Sequence, residues 1–404
     1  MTVILDRPST TETDRIRRTE LVRRAAALVP LLRQNAQKTE NGRRVAEENI
    51  AAIEEEGLFR ITQPKRFGGL EVDFRTKLEV IRELARGCGS TSWTTNLLTD
   101  GAWAVGMWNE EAQNDVWAKN PKARISGVLA PAGKTEKVHG GYRITGRWAN
   151  CSGCLHAQWV VLGVVIQDSG GQSVDTGLVL VPMSEVSIED TWFVAGMKGT
   201  GSNTVVASDV FVPGHRFVSM HKLQSGENDN PYKDEVLYRA PFISGATINL
   251  AAPQLGLARA ALELVIEGAA KRGIAYTYYD VQAEAPGVQL SIAKAASLID
   301  TAELLAYRAA AEVDEAAYRG VLPDYLARAR IRMDTAQAIV KAREAISELI
   351  SVHGAASFAD ANPLQRIWRD SEVAGRHAIG NPAISAEVYG RALLGFTSGV
   401  TPLV

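Results

Sequence analysis

The stretch "GRWANCSGCLHAQW", Gly146 to Trp159, places Cys151, Cys154 and His156 within six residues. Two thiols and an imidazole so close are the raw material of a redox couple or a metal centre. A structural zinc site takes four nitrogen or sulfur ligands, commonly as two close pairs. Only Cys88 remains among the cysteines, so a fourth ligand would have to come from far along the chain. A thioredoxin-like thiol pair normally opens a helix in a βαβ unit, whereas this one sits among strand-like runs. The two cysteines are therefore expected to be small core residues, and no metal site is expected. Strand alternation would put Trp148, Asn150 and Ser152 on one face, with Ala149 and Cys151 on the other. A ring, an amide and a hydroxyl on one face suit a flat heteroaromatic ligand; a solvent-facing strand is the plain alternative.

Two further motifs fail on spacing or context. "GVLAPAGKT" approaches the phosphate-binding form G-x-x-x-x-G-K-[ST], but Gly127 and Gly133 enclose one residue too many and the segment runs on into a hairpin. "GCGSTS" keeps two glycines of the dinucleotide fingerprint but follows a helix, not a strand. The chain thus shows no NAD(P)H site of its own.

The elements that must position these residues change in texture twice. From about Thr19 to Leu84 apolar residues recur at helical spacing, with a helix from Phe74 to Arg86 that "GCGSTSW" interrupts before the next begins. From Arg124, short Val/Ile-rich runs separated by turn residues read as an antiparallel barrel or sandwich, with "VHGGYRI" as a hairpin. Helical texture then returns to the end; Ile331, Ala338, Ile339, Ala342, Ile346, Leu349 and Ile350 lie along one side of a long helix, and four such helices suggest a bundle. The expected domains are 1–122, 123–235 and 236–404. A net charge of -2 offers nothing to nucleic acid or anionic lipid. No apolar run approaches the ~18 residues of a membrane span. Three cysteines in 404 residues fit a reducing compartment, and a cytoplasmic location is expected.

"GLFRITQPKRFGGLEVDF", "GVLAPAGKTEKVHGGYRITGRW", "GMKGTGSNTVVASDVFVP" and "NPLQRIWRD" occur in an order that resembles the acyl-CoA dehydrogenase superfamily. Together they resemble its oxygenase branch, the two-component (group D) flavin-dependent monooxygenases, over about Val45 to Leu394. The resemblance implies an α+β multidomain fold: a helical domain, a central β domain and a C-terminal four-helix bundle, usually assembled as homotetramers with flavin between subunits. It implies that Ser152 contacts flavin N5, that Asn150 or Trp148 lies against the ring, and that Gly201, Ser202 and Asn203 form the loop backing it. Arg272 matches an arginine offered to a neighbouring subunit's flavin, and Ser357 a loop that approaches its phosphate. Arg366 matches a flavin-binding position or forms a structural ion pair.

The same resemblance bears on reaction. Fatty-acid dehydrogenases of this superfamily place a carboxylate base where this chain has Ala359, with Asp360 beside it. The oxygenases instead take reduced flavin (FADH2 or FMNH2) from a separate NAD(P)H:flavin reductase and react it with O2 to form a C4a-hydroperoxide. That adduct needs a dry pocket and a positioned hydrogen-bonding group, and His377 of "WRDSEVAGRHAIGNP" matches the family's active-site histidine. Substrate contacts are expected from Trp93, Asp100 and Gly101; relatives that hydroxylate phenols carry a histidine at the Gly101 position. The expected activity is hydroxylation of an aromatic, of polycyclic or indole type. A dehydrogenase-like oxidoreductase and an N-oxygenase of an amino sugar are the alternatives.

Overall fold

A computed structural model describes residues 10–167 and 173–404. Six helices come first: α1 (Glu12–Gln34), α2 (Ala36–Gly42), α3 (Glu47–Glu55), α4 (Phe74–Gly87), α5 (Gly89–Gly106) and α6 (Glu110–Trp117). Their starts follow from side chains that satisfy otherwise unpaired N–H groups. Thr11 and Asp14 form a reciprocal capping box on α1, and Asp73 caps α4 by accepting from Thr76 N–H. The interruption at "GCGSTSW" is one residue wide: Cys88 is extended (φ -156, ψ 118), and "STSW" already lies inside α5.

Eight strands follow: β1 (Ile125–Val128), β2 (Lys134–Val138), β3 (Gly141–Cys151), β4 (Trp159–Gln167), β5 (Ser173–Pro182), β6 (Ser187–Glu189), β7 (Asn203–Pro213) and β8 (Phe217–Ser219). They form two open four-stranded sheets, ordered β1-β4-β5-β8 and β2-β3-β7-β6. The arrangement is a sandwich rather than a closed barrel, and β1 runs parallel to β4, unlike every other pair. The hairpin turns at His139–Gly140, where Val138 pairs with Gly141. Ile144, Trp148, Cys151, Val160, Leu162, Val179, Val181 and Val205 fill a core of their own, separate from the large helical core.

After α7 (Met220–Ser225) and a polar loop come α8 (Phe242–Ile248), α9 (Ala251–Ala269), α10 (Pro286–Arg319), α11 (Tyr325–His353), α12 (Pro363–Ala374) and α13 (Pro382–Leu393). Helices α9, α10 and α11 are the long members of the bundle, with α12 against α9 and α13 against α11. All seven apolar positions picked out along the long helix are buried in α11. Among the described residues, no helix is long and apolar enough to cross a membrane.

Candidate active site

Ser152 follows directly on β3, and the route of that strand decides what it faces. Between Trp148 and Cys151 the pairing with β7 slips by one residue, and Asn150 takes a left-handed φ of 63. One inserted residue reverses the alternation. Trp148 and Cys151 therefore both point into the sandwich core, while Ser152 turns outward to α5. The expected shared face of Trp148, Asn150 and Ser152 does not form. Trp148 is 1% exposed and donates its Nε1–H to the Gly163 carbonyl at 2.7 Å, so its ring offers no stacking surface. Asn150 is exposed.

Ser152 stands in a chain of hydroxyls. Trp93 Nε1 donates to Ser152 Oγ at 3.1 Å; Ser152 Oγ lies 2.7 Å from Ser202 Oγ, which lies 2.6 Å from Thr200 Oγ1; Thr200 Oγ1 donates to the Met197 carbonyl at 2.9 Å. Three hydroxyls own three protons, and the carbonyl owns none. All three oxygen–oxygen contacts are filled only if each hydroxyl gives its proton toward Met197. With its proton committed and one lone pair taken by Trp93, Ser152 keeps one lone pair toward a ligand. It is an acceptor.

The loop that carries Ser202 is held in place from three sides. Gly201 has φ 54, and a Cβ there would lie 2.7 Å from Leu155 Cδ1, so both its conformation and its neighbours call for glycine. Asn203 Oδ1 accepts from the Thr191 and Trp192 N–H groups at 3.0 Å each, bracing the backbone rather than facing a ligand. Asp370 of α12 accepts the Met197 N–H at 2.5 Å; burial pushes its carboxyl up to about 6.

His377 lies just beyond α12, its ring 6.0 Å from that of Trp93 and tilted by 52°. Its Nδ1 is buried and has no hydrogen-bond partner among the described residues. Burial holds the imidazole below its usual value, so it is neutral at pH 7. Asn96 Oδ1 and Thr94 Oγ1, on α5, are likewise buried without partners. Asp100, further along α5, is bonded to the Lys77 ammonium and the Asn249 amide.

Gly101 does not face this region. A Cβ built on it would lie 2.1 Å from the Ile125 carbonyl oxygen, so α5 rests on the backbone of β1 there. The expected substrate contact at Gly101 is thereby corrected. Arg366 bonds Gln37 at 3.0 Å and lies 3.9 Å from Glu40, which makes it a structural tie between α12 and α2. Arg272 lies 3.1 Å from His353 Nε2 and donates to Gln282 at 2.9 Å, while Ser357 donates to the Gly354 carbonyl at 2.7 Å. The two belong to a polar cluster around the end of α11, with no hydrogen bond to the Ser152 chain among the described residues. Ala359 and Asp360 are exposed, outside any buried site.

The cysteines are free and buried. Cys151 Sγ lies 3.1 Å from Ser126 Oγ, and Cys154 Sγ donates to the Gly201 carbonyl at 3.5 Å. The neighbouring Cys154 sulfur and burial push the Cys151 thiol well up, away from the reactive thiolate. His156 Nδ1 is 3.8 Å from Glu47. Sequence reasoning missed Lys77, Asn96, Thr200, Asn249 and Asp370. Lys77 alone left a signal: it falls on the apolar stripe of α4 between Phe74 and Ile81, where a lysine needs a buried partner.

An aromatic cofactor carrying N–H groups fits this geometry, because Ser152 retains one lone pair and the nearby His377 Nδ1 is buried and unpaired. Comparison with known proteins agrees. The family model "Acyl-CoA dehydrogenase, N-terminal domain" matches residues 12–120, and "Acyl-CoA dehydrogenase, C-terminal domain" matches residues 248–382. The chain is 35% identical over 376 residues to the oxygenase subunit HsaA of a flavin-dependent monooxygenase from Rhodococcus jostii (strain RHA1), covering 93% of this chain and 98% of that one. It is 35% identical over 387 residues to the oxygenase component of an FADH(2)-dependent resorcinol hydroxylase from Rhizobium sp. (strain MTP-10005), covering 93% and 94%. The solved structure of XiaF from Streptomyces sp., in complex with FADH2 and glycerol, superposes with a TM-score of 0.93 at 36% identity, covering 97% of this chain and 99% of that one.

Proposed function

We propose a division of labour among the residues of this chain, which belongs to the acyl-CoA dehydrogenase superfamily as an oxygenase component of the two-component flavin-dependent monooxygenases. The activity is hydroxylation of an aromatic ring with reduced flavin and O2. One oxygen atom enters the ring, the other leaves as water, and the flavin leaves oxidised. When bound, reduced flavin supplies the two electrons. A separate reductase delivers it, in keeping with the "subunit" and "component" of the relatives' names. The three units 1–122, 123–235 and 236–404 surround the site. Arg272 and Ser357 serve the flavin of a neighbouring subunit in a homotetramer; that neither bonds to the Ser152 chain among the described residues supports that reading.

Within the subunit, Ser152 accepts a hydrogen bond from the flavin N5–H, a donor that only the reduced ring carries. Thr200 and Ser202 keep Ser152 from turning round. Trp93 walls the site beside His377, and the enclosed helices α5 and α8 exclude water that would divert the reaction into peroxide release. His377, neutral and without a partner, takes at Nδ1 the proton that the aromatic loses on hydroxylation. The substrate is a polycyclic or indole-type aromatic. The seat of Gly101 against β1, which leaves no room for a phenol-binding histidine, supports a ligand held by other groups.

One observation carries this reading: a buried imidazole nitrogen left unpaired beside a tryptophan that is bonded to Ser152. His377→Asn, supplied with a reductase and a hydroxylatable aromatic, should lose roughly 10²–10⁴-fold in hydroxylation, the span of a positioned acid–base group. Flavin affinity and melting temperature should hold. A near-normal, well-coupled rate removes His377 from the reaction; lost flavin binding with coupling intact makes it structural.

A further inference from the structure

Leu97 and Asp100 are the two residues of α5 that are not buried; the rest of that helix is enclosed on all sides. They stand four and seven residues beyond Trp93, on one face of the helix. In α8 the single such residue is Ala246, three before Asn249, and His377, whose ring lies 6.0 Å from that of Trp93, is also partly accessible. Partly accessible side chains set into otherwise buried helices are where a ligand can reach α5, and Leu97 and Asp100 lie on the same helix face as Trp93.

The Asp100 carboxylate is fixed from behind. The Lys77 side chain is 1% exposed, that of Asp100 17%, and the Lys77 ammonium and Asn249 amide both bond Asp100 Oδ1. Among the described residues Oδ2 takes no hydrogen bond, although it belongs to the more open of the two charged side chains. Asn249 in turn is held through its carbonyl by Asn96 Nδ2 at 2.9 Å. A buried ion pair costs stability relative to apolar residues of the same volume, so its presence asks for another use.

We propose that Asp100 is the polar anchor of the aromatic substrate, its Oδ2 accepting an N–H or O–H carried on the ring system. The enzyme then selects aromatics that bear such a donor. Lys77 is the positioning residue: it fixes the rotation of the carboxylate and balances its charge without reaching the substrate. The proposal rests on the hydroxylase reading above. Burial pushes the Asp100 carboxyl up to about 6, which leaves it ionised at pH 7 with Lys77 beside it. A site built to bond a donor rejects the analogue lacking one, because its own acceptor is then stranded.

The test uses indole against 1-methylindole and resorcinol against 1,3-dimethoxybenzene. Binding is measured by anaerobic calorimetry on enzyme loaded with reduced flavin, and turnover is followed after oxygen is admitted. Wild-type protein should bind at least one parent compound roughly 10- to 100-fold more tightly than its methylated partner, the range of one hydrogen bond to a charged group. In Lys77→Met/Asp100→Leu, which strands no charge, that ratio should fall to about one; in Asp100→Asn, which also serves if the double variant does not fold, it should fall part of the way. Equal binding of parent and methylated probe by the wild type, an unchanged ratio in the variants, or no binding of either parent overturns the anchor. Discrimination that persists in an enzyme yielding neither oxygenated product nor peroxide keeps the anchor and removes the hydroxylase reading.

Discussion

Two walls of one site handle buried polar atoms in opposite ways. On the strand side, Trp93, Ser152, Ser202, Thr200 and Met197 form a line in which every proton has a destination inside the chain. On the helix side, among the described residues, His377 Nδ1, Asn96 Oδ1 and Thr94 Oγ1 are buried without a hydrogen-bond partner, and Asp100 Oδ2 takes no hydrogen bond. An unsatisfied buried polar atom costs roughly 1–3 kcal/mol, so the second wall is poorly suited to stability and well suited to a ligand. The first wall sets the direction of one acceptor and holds it there. The difference teaches where to look for rigidity and where for recognition.

The strand wall is the one to break first. Ser202→Ala removes the middle of the hydroxyl line and leaves two neighbours short of a partner, which should cost about 3 kcal/mol in denaturant unfolding. It also frees the Ser152 proton to turn toward the ligand, so the preference for reduced over oxidised flavin should shrink in the same variant. Stability lost with the preference intact would mean that Ser202 braces the loop without orienting Ser152.

His156 sharpens the contrast from outside the site. Among the described residues its Nε2 is also buried and unpaired, and its charged neighbours are Glu47, Arg44 and Arg124. Burial, with Arg44 and Arg124 nearby, lowers its pKa from 6.5 to about 4. A base depressed on folding gives stability that is present above pH 6.5 and lost as the pH falls toward 4. On that basis wild-type protein should lose about 2 kcal/mol between pH 7 and pH 5 that His156→Gln retains. Thermal melts of both proteins at the two pH values measure it. Flavin affinity should be the same in both, and a change there would tie His156 to the site.

The smallest effect is expected at the cysteines, neighbours of Ser152 that face the sandwich core and the Gly201 loop instead of the site. Cys151→Ser and Cys154→Ala should each shift stability by about 1 kcal/mol or less and leave flavin binding and coupling as they were. Stoichiometric zinc in the purified protein, or turnover lost to thiol alkylation, would contradict the core role.

Sequence texture marked out the three layers and the long helices because apolar periodicity is a local property, visible in any window of a dozen residues. The apolar stripe of α11 is the clearest case. Ser152, Ser202 and His377 could be singled out from the sequence because they sit in distinctive segments, and the structure brings Ser152 and Ser202 into one hydrogen-bonded line beside Trp93. Trp148 was misassigned because a single left-handed residue, Asn150, inverts alternation, and nothing about asparagine in a strand announces that it will do so. Gly101 was misassigned because its neighbour is the backbone of β1, distant in sequence. Lys77 on α4 and Asn249 in the turn after α8 meet at Asp100, and a constellation of that kind exists only after packing.

Gly101 also constrains how this protein and its relatives can have diverged. A histidine placed there by one mutation would drive its Cβ to 2.1 Å from the Ile125 carbonyl, and α5 could not stay on β1. A histidine at this position is thus out of reach of a point substitution from this sequence, and room along β1 must open first. Ancestral reconstruction should accordingly place substitutions around Ile125 before any exchange at position 101, and lineages holding glycine there should have explored new substrates by altering the far end of α5 instead.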